Sequence, residues 1–120
     1  MTAADSHIKV TLTDGVHVVE FCDRKILDEL AISETGDQLR AVVESASGIR
    51  VLLNFAHVEH LSSAALGMLI TLDKLVKEQD GEMKLSDINS QIYEVFKITR
   101  LNKLFDIHDT ADKALTSFQG

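Results

Sequence analysis

The sequence predicts a single α/β domain in which helices pack against a mixed β-sheet. Three observations lead to this prediction. The chain begins with the alternating pattern of a β-hairpin, strand-like apolar runs then alternate with stripes of helical period, and no linker rich in Pro, Gly or Ser interrupts it. With 120 residues, 45% hydrophobic and 26% charged, the chain has the size and composition of one globular domain. We therefore expect residues 1–120 to form one domain.

Two strands joined by a tight turn are predicted at the start of the chain. Apolar and polar residues alternate on both sides of Asp14-Gly15, and Asp-Gly is a strong hairpin turn. The apolar members are Ile8, Val10, Leu12, Val16, Val18, Val19 and Phe21. The hairpin makes these two strands antiparallel, and we expect Cys22, at its end, to be a small buried side chain rather than a redox sensor.

The middle of the chain predicts a helix, a central strand and a longer helix. Apolar residues recur at helical spacing from Ser33, the expected N-cap, to Ser45. Arg50–Ala56 is a nearly continuous apolar run, which is typical of a strand covered on both faces. From Ser62 a second helical stripe runs to a stop at Gly81. Its members are Ala65, Leu66, Leu69, Leu72, Leu75 and Val76.

The last third of the chain adds two further strand and helix pairs. Met83–Ile88 predicts a short strand, a helix follows a cap at Asn89 or Ser90, and Phe105–Ile107 predicts the last strand before a C-terminal helix. The resulting order is β-β-α-β-α-β-α-β-α, with about four helices. Because helical crossovers join parallel strands, the sheet should be mainly parallel with an antiparallel N-terminal hairpin.

Charge and cysteine content exclude several classes of protein. The chain carries 19 acidic and 12 basic residues, a net charge of -7, so we expect neither nucleic acid nor a membrane surface as a direct partner. Cys22 is the single cysteine and leaves no intramolecular disulfide. The start of the chain lacks a signal-peptide pattern, and no apolar stretch reaches the ~18 residues that span a bilayer. We expect a cytoplasmic protein.

The sequence lacks the motifs of most catalytic and cofactor sites. Its glycines are scattered and match no phosphate-binding loop, so no nucleotide cofactor is expected. His57 and His60 have no Cys or carboxylate at ligand spacing, and we predict no metal site. A small serine hydrolase using Ser62 or Ser63 with one of these histidines remains an alternative, although the GxSxG elbow is absent.

Ser62 and Ser63 lie where a loop meets the predicted start of the longest helix. Free backbone N–H groups and the helix dipole converge there, so a phosphate would be stabilised. A phosphoserine adds about -1.5 to -2 charges and can displace a partner that packs closely. Either serine can also be an ordinary N-cap, worth about 1 kcal/mol. The residues alone leave both roles open.

The segment around these serines carries a family resemblance. Residues 51–70 read VLLNFAHVEHLSSAALGMLI and resemble the signature segment of STAS domains, the anti-sigma-factor antagonists, which have an Asp-Ser-Ser/Thr-Gly-Leu-Gly-like turn between strand and helix. Aligning on Leu66-Gly67 implies that Ser63 is the phosphorylated serine. Ser62 stands where the family has aspartate, which makes Ser62 the alternative acceptor, and Ala64 and Ala65 replace Ser/Thr and Gly.

The resemblance also implies the partners and the mechanism. In the family, the antagonist binds an anti-sigma factor that is a serine protein kinase of the histidine-kinase-like ATPase type and so frees a sigma factor. Phosphorylation releases the antagonist, and a serine phosphatase resets it. The chain is therefore expected to be a regulator of transcription by partner switching, with no catalytic residues of its own. The alternative within this fold is a constitutive scaffold in which Ser63 is only a cap.

The turn after the second strand is predicted to complete the binding surface. Asp23-Arg24-Lys25 should approach the Ser63 loop, because both follow strands at the same edge of the sheet. We expect partner contacts from Ser62, Ser63, Ala64, Asp23 and Arg24. Gly67 lies inside a predicted helix at a cost of about 1 kcal/mol against alanine. We expect close packing of that helix on the sheet to explain the glycine.

Overall fold

The computed structural model describes residues 7–119, which form seven strands and five helices. The strands are β1 Ile8–Thr13, β2 Val16–Phe21, β3 Lys25–Ile26, β4 Arg50–Asn54, β5 His60–Leu61, β6 Glu82–Ser86 and β7 Asp106–His108. The helices are α1 Glu29–Glu44, α2 Ser63–Glu78, α3 Ser90–Ile98, α4 Leu101–Leu104 and α5 Ala111–Gln119. Every strand and helix predicted from the pattern is present, with shifted boundaries.

Five strands form one mixed sheet in the order β1-β2-β4-β6-β7. β1 and β2 are antiparallel across the Asp14-Gly15 turn, where both residues have positive φ. The pairs β2–β4, β4–β6 and β6–β7 are all parallel. The predicted mixed sheet with an antiparallel N-terminal hairpin is therefore confirmed, and β4 lies at its centre.

β4 is buried because helices cover both faces of the sheet. Val51 and Leu53 point into the main core, which the apolar sides of α1, α2 and α3 complete. Leu52 points to the opposite face, where it contacts a second cluster formed with Ala114 and Phe118 of α5. A strand that packs on both sides needs apolar residues at successive positions, which explains its continuous run.

The first helix begins earlier than the sequence pattern predicts. Asp28 is the N-cap, since its carboxylate accepts a hydrogen bond from the N–H of Ala31 at 3.0 Å, and Ser33 lies exposed inside α1. The prediction of Ser33 as the cap is wrong because the apolar stripe begins at Ile32, one turn after the true start. By contrast, Asn89 caps α3 as expected, accepting from the N–H of Ile92 at 2.8 Å.

The expectation that Cys22 is buried is also wrong. Its side chain is exposed, whereas that of the preceding Phe21 is buried in the main core. Side chains alternate between the faces of a strand, so Cys22 points to the opposite face. On that face α5 packs mainly against β4, β6 and β7. No helix within residues 7–119 is long and apolar enough to cross a membrane.

Candidate functional site

A two-stranded parallel ribbon joins the turn after β2 to the segment that leads into α2. In this ribbon β3 pairs with β5, with Lys25 opposite His60 and Ile26 opposite Leu61. Arg24 O accepts from the N–H groups of Glu59 at 2.6 Å and His60 at 3.2 Å, and Ile26 O accepts from that of Ser62 at 3.1 Å. The structure thus brings the turn, residues 23–26, next to the serine loop, residues 59–63, as predicted from their positions at the same edge of the sheet.

Ser62 is the N-cap of α2. Its backbone is extended, with φ -87° and ψ 167°, and its Oγ accepts a hydrogen bond from the N–H of Ala65 at 3.2 Å. Its carbonyl oxygen accepts the helical hydrogen bond from Leu66 at 3.1 Å. Ser62 is half-buried, and its hydroxyl stabilises the start of α2.

Ser63 is the first residue of α2, and its side chain is exposed. Within the described part of the chain, the backbone N–H groups of Ser63 and Ala64 have no hydrogen-bond acceptor. These free N–H groups lie at the positive end of the helix dipole, and the first turn contains no acidic residue. An anion at Ser63 would therefore meet donors and no local negative charge from that turn.

The two turn residues predicted to bind a partner differ in their surroundings. The side chain of Arg24 is 77% exposed and lies 4.0 Å from the Glu59 carboxylate, so it is available on the surface beside the serine loop. Asp23 is half-buried, and its Oδ2 lies 2.7 Å from Nδ1 of His7. Arg24 therefore faces solvent, whereas Asp23 is engaged inside the chain.

His7 is a residue that the sequence patterns did not single out. Its Nε2 lies 2.9 Å from Oε1 of Glu34 on α1, in addition to the Asp23 contact at Nδ1. The hydrogen bond to Glu34 raises the pKa of His7, burial opposes this, and the hydrogen bond to Asp23 raises the pKa further. No short motif links His7, Asp23 and Glu34, because only the tertiary fold brings them together.

The packing explanation for Gly67 is wrong. Gly67 is exposed on α2, and a Cβ built there has no heavy atom within 4 Å. The glycine therefore leaves bare helix backbone one turn after Ser63, on the solvent side of α2. No contact within residues 7–119 requires a glycine at this position.

The geometry of a serine hydrolase is not present at this site. His57 and His60 are exposed, and among the described residues neither imidazole hydrogen-bonds to Ser62 or Ser63. His60 belongs to β5, and the Ser62 hydroxyl accepts from the helix backbone. A nucleophilic serine needs a base within hydrogen-bond reach, and neither serine has one among residues 7–119.

Comparison with known proteins identifies the family. The model of the STAS domain family matches residues 9–114. An anti-sigma F factor antagonist of Paenibacillus polymyxa is 26% identical over 89 residues, covering 71% of this chain and 76% of that protein. An anti-sigma-factor antagonist (STAS) domain protein from Planctomyces limnophilus superposes with a TM-score of 0.82 at 24% identity, covering 92% of this chain and 95% of that one.

The fold is also that of the Bacillus cell fate determinant SpoIIAA in its phosphorylated form. That structure matches with a TM-score of 0.67 at 14% identity, over 92% of this chain and 98% of the other. The family match covers most of the chain, including nearly all of the five-stranded sheet and the segment that leads into α2. This protein belongs to the STAS-domain family.

Proposed function

We propose that this protein is an anti-sigma-factor antagonist whose binding is controlled by phosphorylation of Ser63. The observation that carries the proposal is the division of roles at the start of α2, where Ser62 caps the helix and Ser63 is exposed. Membership of the STAS family and the name of the Paenibacillus relative support the antagonist role. The phosphorylated SpoIIAA structure supports phosphorylation as a property that this fold accommodates.

Phosphorylation of Ser63 changes the surface without disturbing the fold. The phosphate would lie beside the free N–H groups of Ser63 and Ala64, which favour negative charge at a helix N-terminus. Ser62, in place of the family's aspartate, removes a like charge that would otherwise adjoin the phosphate. The modified helix end is therefore tolerated within the chain, while a partner that packs closely on it is displaced.

The proposed contact surface consists of Ser63, Ala64, Gly67 and Arg24. Ala64 and Gly67 are exposed and small, so a partner can approach the backbone of α2 closely beside the switch. Arg24 adds an exposed cation on the adjoining turn. Ser62 and Asp23 contribute from within the chain, by capping α2 and by contacting His7.

The proposed partners follow from this role. The unphosphorylated protein binds an anti-sigma factor, a serine protein kinase of the histidine-kinase-like ATPase type, and a sigma factor is released. The kinase then phosphorylates Ser63 and the complex dissociates, after which a serine phosphatase restores the binding form. The protein itself acts by binding and supplies no catalytic group.

The test is affinity capture from native cell extract with wild type, Ser63→Ala, Ser63→Glu and Ser62→Ala, followed by phosphosite mapping. We expect wild type and Ser63→Ala to retain a histidine-kinase-like ATPase and Ser63→Glu to lose it, because a fixed negative charge occupies the contact surface. Phosphate should be found on Ser63. Ser62→Ala, the matched control, should keep the partner but lose about 1 kcal/mol of stability with its cap.

Three outcomes would contradict the proposal. Recovery of the same partners by every variant, with no phosphate, would make the protein a constitutive scaffold. Phosphate on Ser62 instead of Ser63 would overturn the assignment of the switch. Burst release from an activated ester that Ser63→Ala abolishes would indicate a hydrolase.

A further inference from the structure

His7 connects three parts of the chain through four hydrogen bonds. Its ring contacts Asp23 on the turn after β2 at 2.7 Å and Glu34 on α1 at 2.9 Å. Its backbone N–H donates to Oε1 of Gln38 on α1 at 2.8 Å, and its carbonyl oxygen accepts from the N–H of Cys22 at 2.9 Å. The residue thus ties the start of β1 to α1 and to the turn.

The ring contacts specify the charge state of His7. Each ring nitrogen faces a carboxylate oxygen. An ionised carboxylate can accept hydrogen bonds but cannot donate one, so the ring nitrogen must be the donor in each contact. A neutral imidazole has one N–H and can donate to one of the two carboxylates, whereas the imidazolium donates to both. The arrangement is therefore complete only when His7 is protonated. The raised pKa of His7, caused first by the Glu34 hydrogen bond and then by Asp23 against the opposing effect of burial, agrees with this geometry.

The backbone that follows Asp23 is hydrogen-bonded to the serine loop. The next residue, Arg24, accepts two backbone hydrogen bonds from Glu59 and His60, and Ile26 accepts one from Ser62. Residues 23–26 therefore lie between His7 on one side and the segment that enters α2 on the other. A change in how His7 holds Asp23 acts on the backbone that supports Ser62 and Ser63.

We propose that His7 is a positioning residue whose proton holds the 23–26 turn in place against residues 59–62, and so couples pH to the surface around Ser63. The charged groups facing the imidazole in the described chain are Asp23 from the turn and Glu34 from α1. The turn is held fully at pH values where His7 is protonated and both carboxylates are ionised. It loosens as pH rises through the pKa of His7, because the single N–H of the neutral ring is then shared between Asp23 and Glu34. The effect on a partner rests on the proposed function, whereas the effect on the turn does not.

The first measurement needs no partner. The ring signals of all histidines and the backbone amide signals are followed by NMR in the whole protein from about pH 5 to about pH 9. We expect His7 to titrate above an ordinary histidine, and the amides of Arg24, Glu59 and His60 to shift with the same midpoint. Above that midpoint, the protection of the Glu59 and His60 amides against hydrogen exchange, relative to the base-catalysed rate of an unstructured amide at the same pH, should fall several-fold, because they donate to Arg24.

Three variants separate positioning from ordinary stabilisation. In His7→Gln the amides of the turn should lose their pH response, while Glu34→Gln should retain the response with a lower midpoint, since the Asp23 contact remains. His108→Gln is the matched control, because His108 also contacts a carboxylate, Asp106 at 3.0 Å, but lies on β7. It should leave the response of the turn unchanged. A His7 midpoint at or below that of an ordinary histidine, or turn amides that do not follow His7, overturns the proposal.

The second measurement asks whether the turn affects binding. The affinity for the captured kinase is measured across the same pH range with wild type and His7→Gln. We expect wild type to bind several-fold more weakly above the His7 midpoint, and His7→Gln to lose that step. A binding curve with no step in wild type overturns the coupling to the partner. If no kinase is captured, the proposed function fails while the NMR experiment still decides the role of His7 at the turn.

Discussion

Gly67 and Gly81 differ in their surroundings although both are glycines near α2. A Cβ on Gly67 meets no heavy atom within 4 Å. A Cβ on Gly81 would lie 2.5 Å from the carbonyl oxygen of Ile49 and 3.1 Å from Cγ1 of Val76. The first glycine is thus replaceable within the fold, whereas a side chain at the second would force the backbone at Ile49 to shift.

We predict opposite effects for the two alanine variants. Gly67→Ala should raise the free energy of unfolding by about 0.5–1 kcal/mol, because alanine is the better helix former at an exposed site. Gly81→Ala should lower it by about 1–3 kcal/mol through overpacking. Urea unfolding followed by circular dichroism measures both.

A Gly67→Ala protein that is more stable yet captures less kinase would support the bare backbone at Gly67 as a contact point. Lower stability of Gly67→Ala would contradict the open surroundings described for it.

Single residues show what the sequence contained about the site and what it did not. The start of α2 was predictable, since a serine pair before a helical stripe is a local signal. The exposure of Cys22 and Gly67 was not, because burial depends on which helices cover which part of the sheet. His7 was missed for the same reason, as its carboxylate partners lie 16 and 27 residues away in sequence.

At the scale of elements, a nearly buried lysine fastens α5 to the sheet. Lys84 on β6 is 7% exposed, and its Nζ donates to Oδ2 of Asp106 on β7 at 2.5 Å and to Oγ of Ser117 on α5 at 2.8 Å. The same ammonium lies 5.0 Å from the ring centre of Phe118. One side chain thus links two strands and the C-terminal helix, in a face otherwise held by a small apolar cluster.

Asp106→Asn should lower the free energy of unfolding by about 1–2 kcal/mol at neutral pH, because it leaves the Lys84 ammonium without its counter-charge. The loss is smaller than for a fully buried pair, since the Asp106 side chain is 52% exposed. Burial raises the pKa of Asp106, but the hydrogen bond and charge of Lys84, together with His108, outweigh it, so the pKa is lowered. The contribution of the pair is therefore present above the pKa of an unfolded aspartate and lost as pH falls through the lower folded value.

Urea unfolding of wild type and Asp106→Asn at neutral and acidic pH measures this effect. The difference in stability should shrink as the medium is acidified. Asp109→Asn is the matched control, because its carboxylate is 88% exposed beside Lys113, and it should change stability by less than about 0.5 kcal/mol. A difference that stays constant down to acidic pH would show that the Asp106 charge is not responsible.

The boundaries predicted from the sequence agree with the structure at α2 and α3 and differ from it at α1. Of the two predicted caps of α3, Asn89 and Ser90, Asn89 is the cap, and α2 ends at Glu78, shortly before the predicted stop at Gly81. By contrast, α1 begins at Glu29 because Asp28 rather than Ser33 caps it. β3, β5 and α4 have two, two and four residues, too few for any period to be detected. β3 and β5 nonetheless hold the turn beside the serine loop.

At the scale of the whole molecule, β4 belongs to both apolar clusters. Its alternate side chains enter the core beneath α1, α2 and α3 and the smaller cluster beneath α5. Both clusters include side chains of the same central strand, so unfolding of one cluster removes part of the other. The described fold should therefore behave as one cooperative unit.

Thermal or urea unfolding should accordingly show one transition by every probe. Tyr93 is the single tyrosine, and the chain has no tryptophan, so intrinsic fluorescence reports on α3, while far-ultraviolet circular dichroism reports on all helices and strands. We predict coincident midpoints for the two signals. Separate midpoints would mean that α3 unfolds apart from the sheet.

The division of roles between Ser62 and Ser63 means that the two positions tolerate substitution differently. A substitution that removes the side-chain oxygen at position 62 removes a helix cap, so folding alone constrains this position to a capping residue, whatever the protein binds. The Ser63 hydroxyl makes no hydrogen bond within the described chain, so selection for folding does not protect it. Under the proposed function, a single substitution that removes the Ser63 hydroxyl would therefore abolish the switch while leaving the fold and the binding form intact.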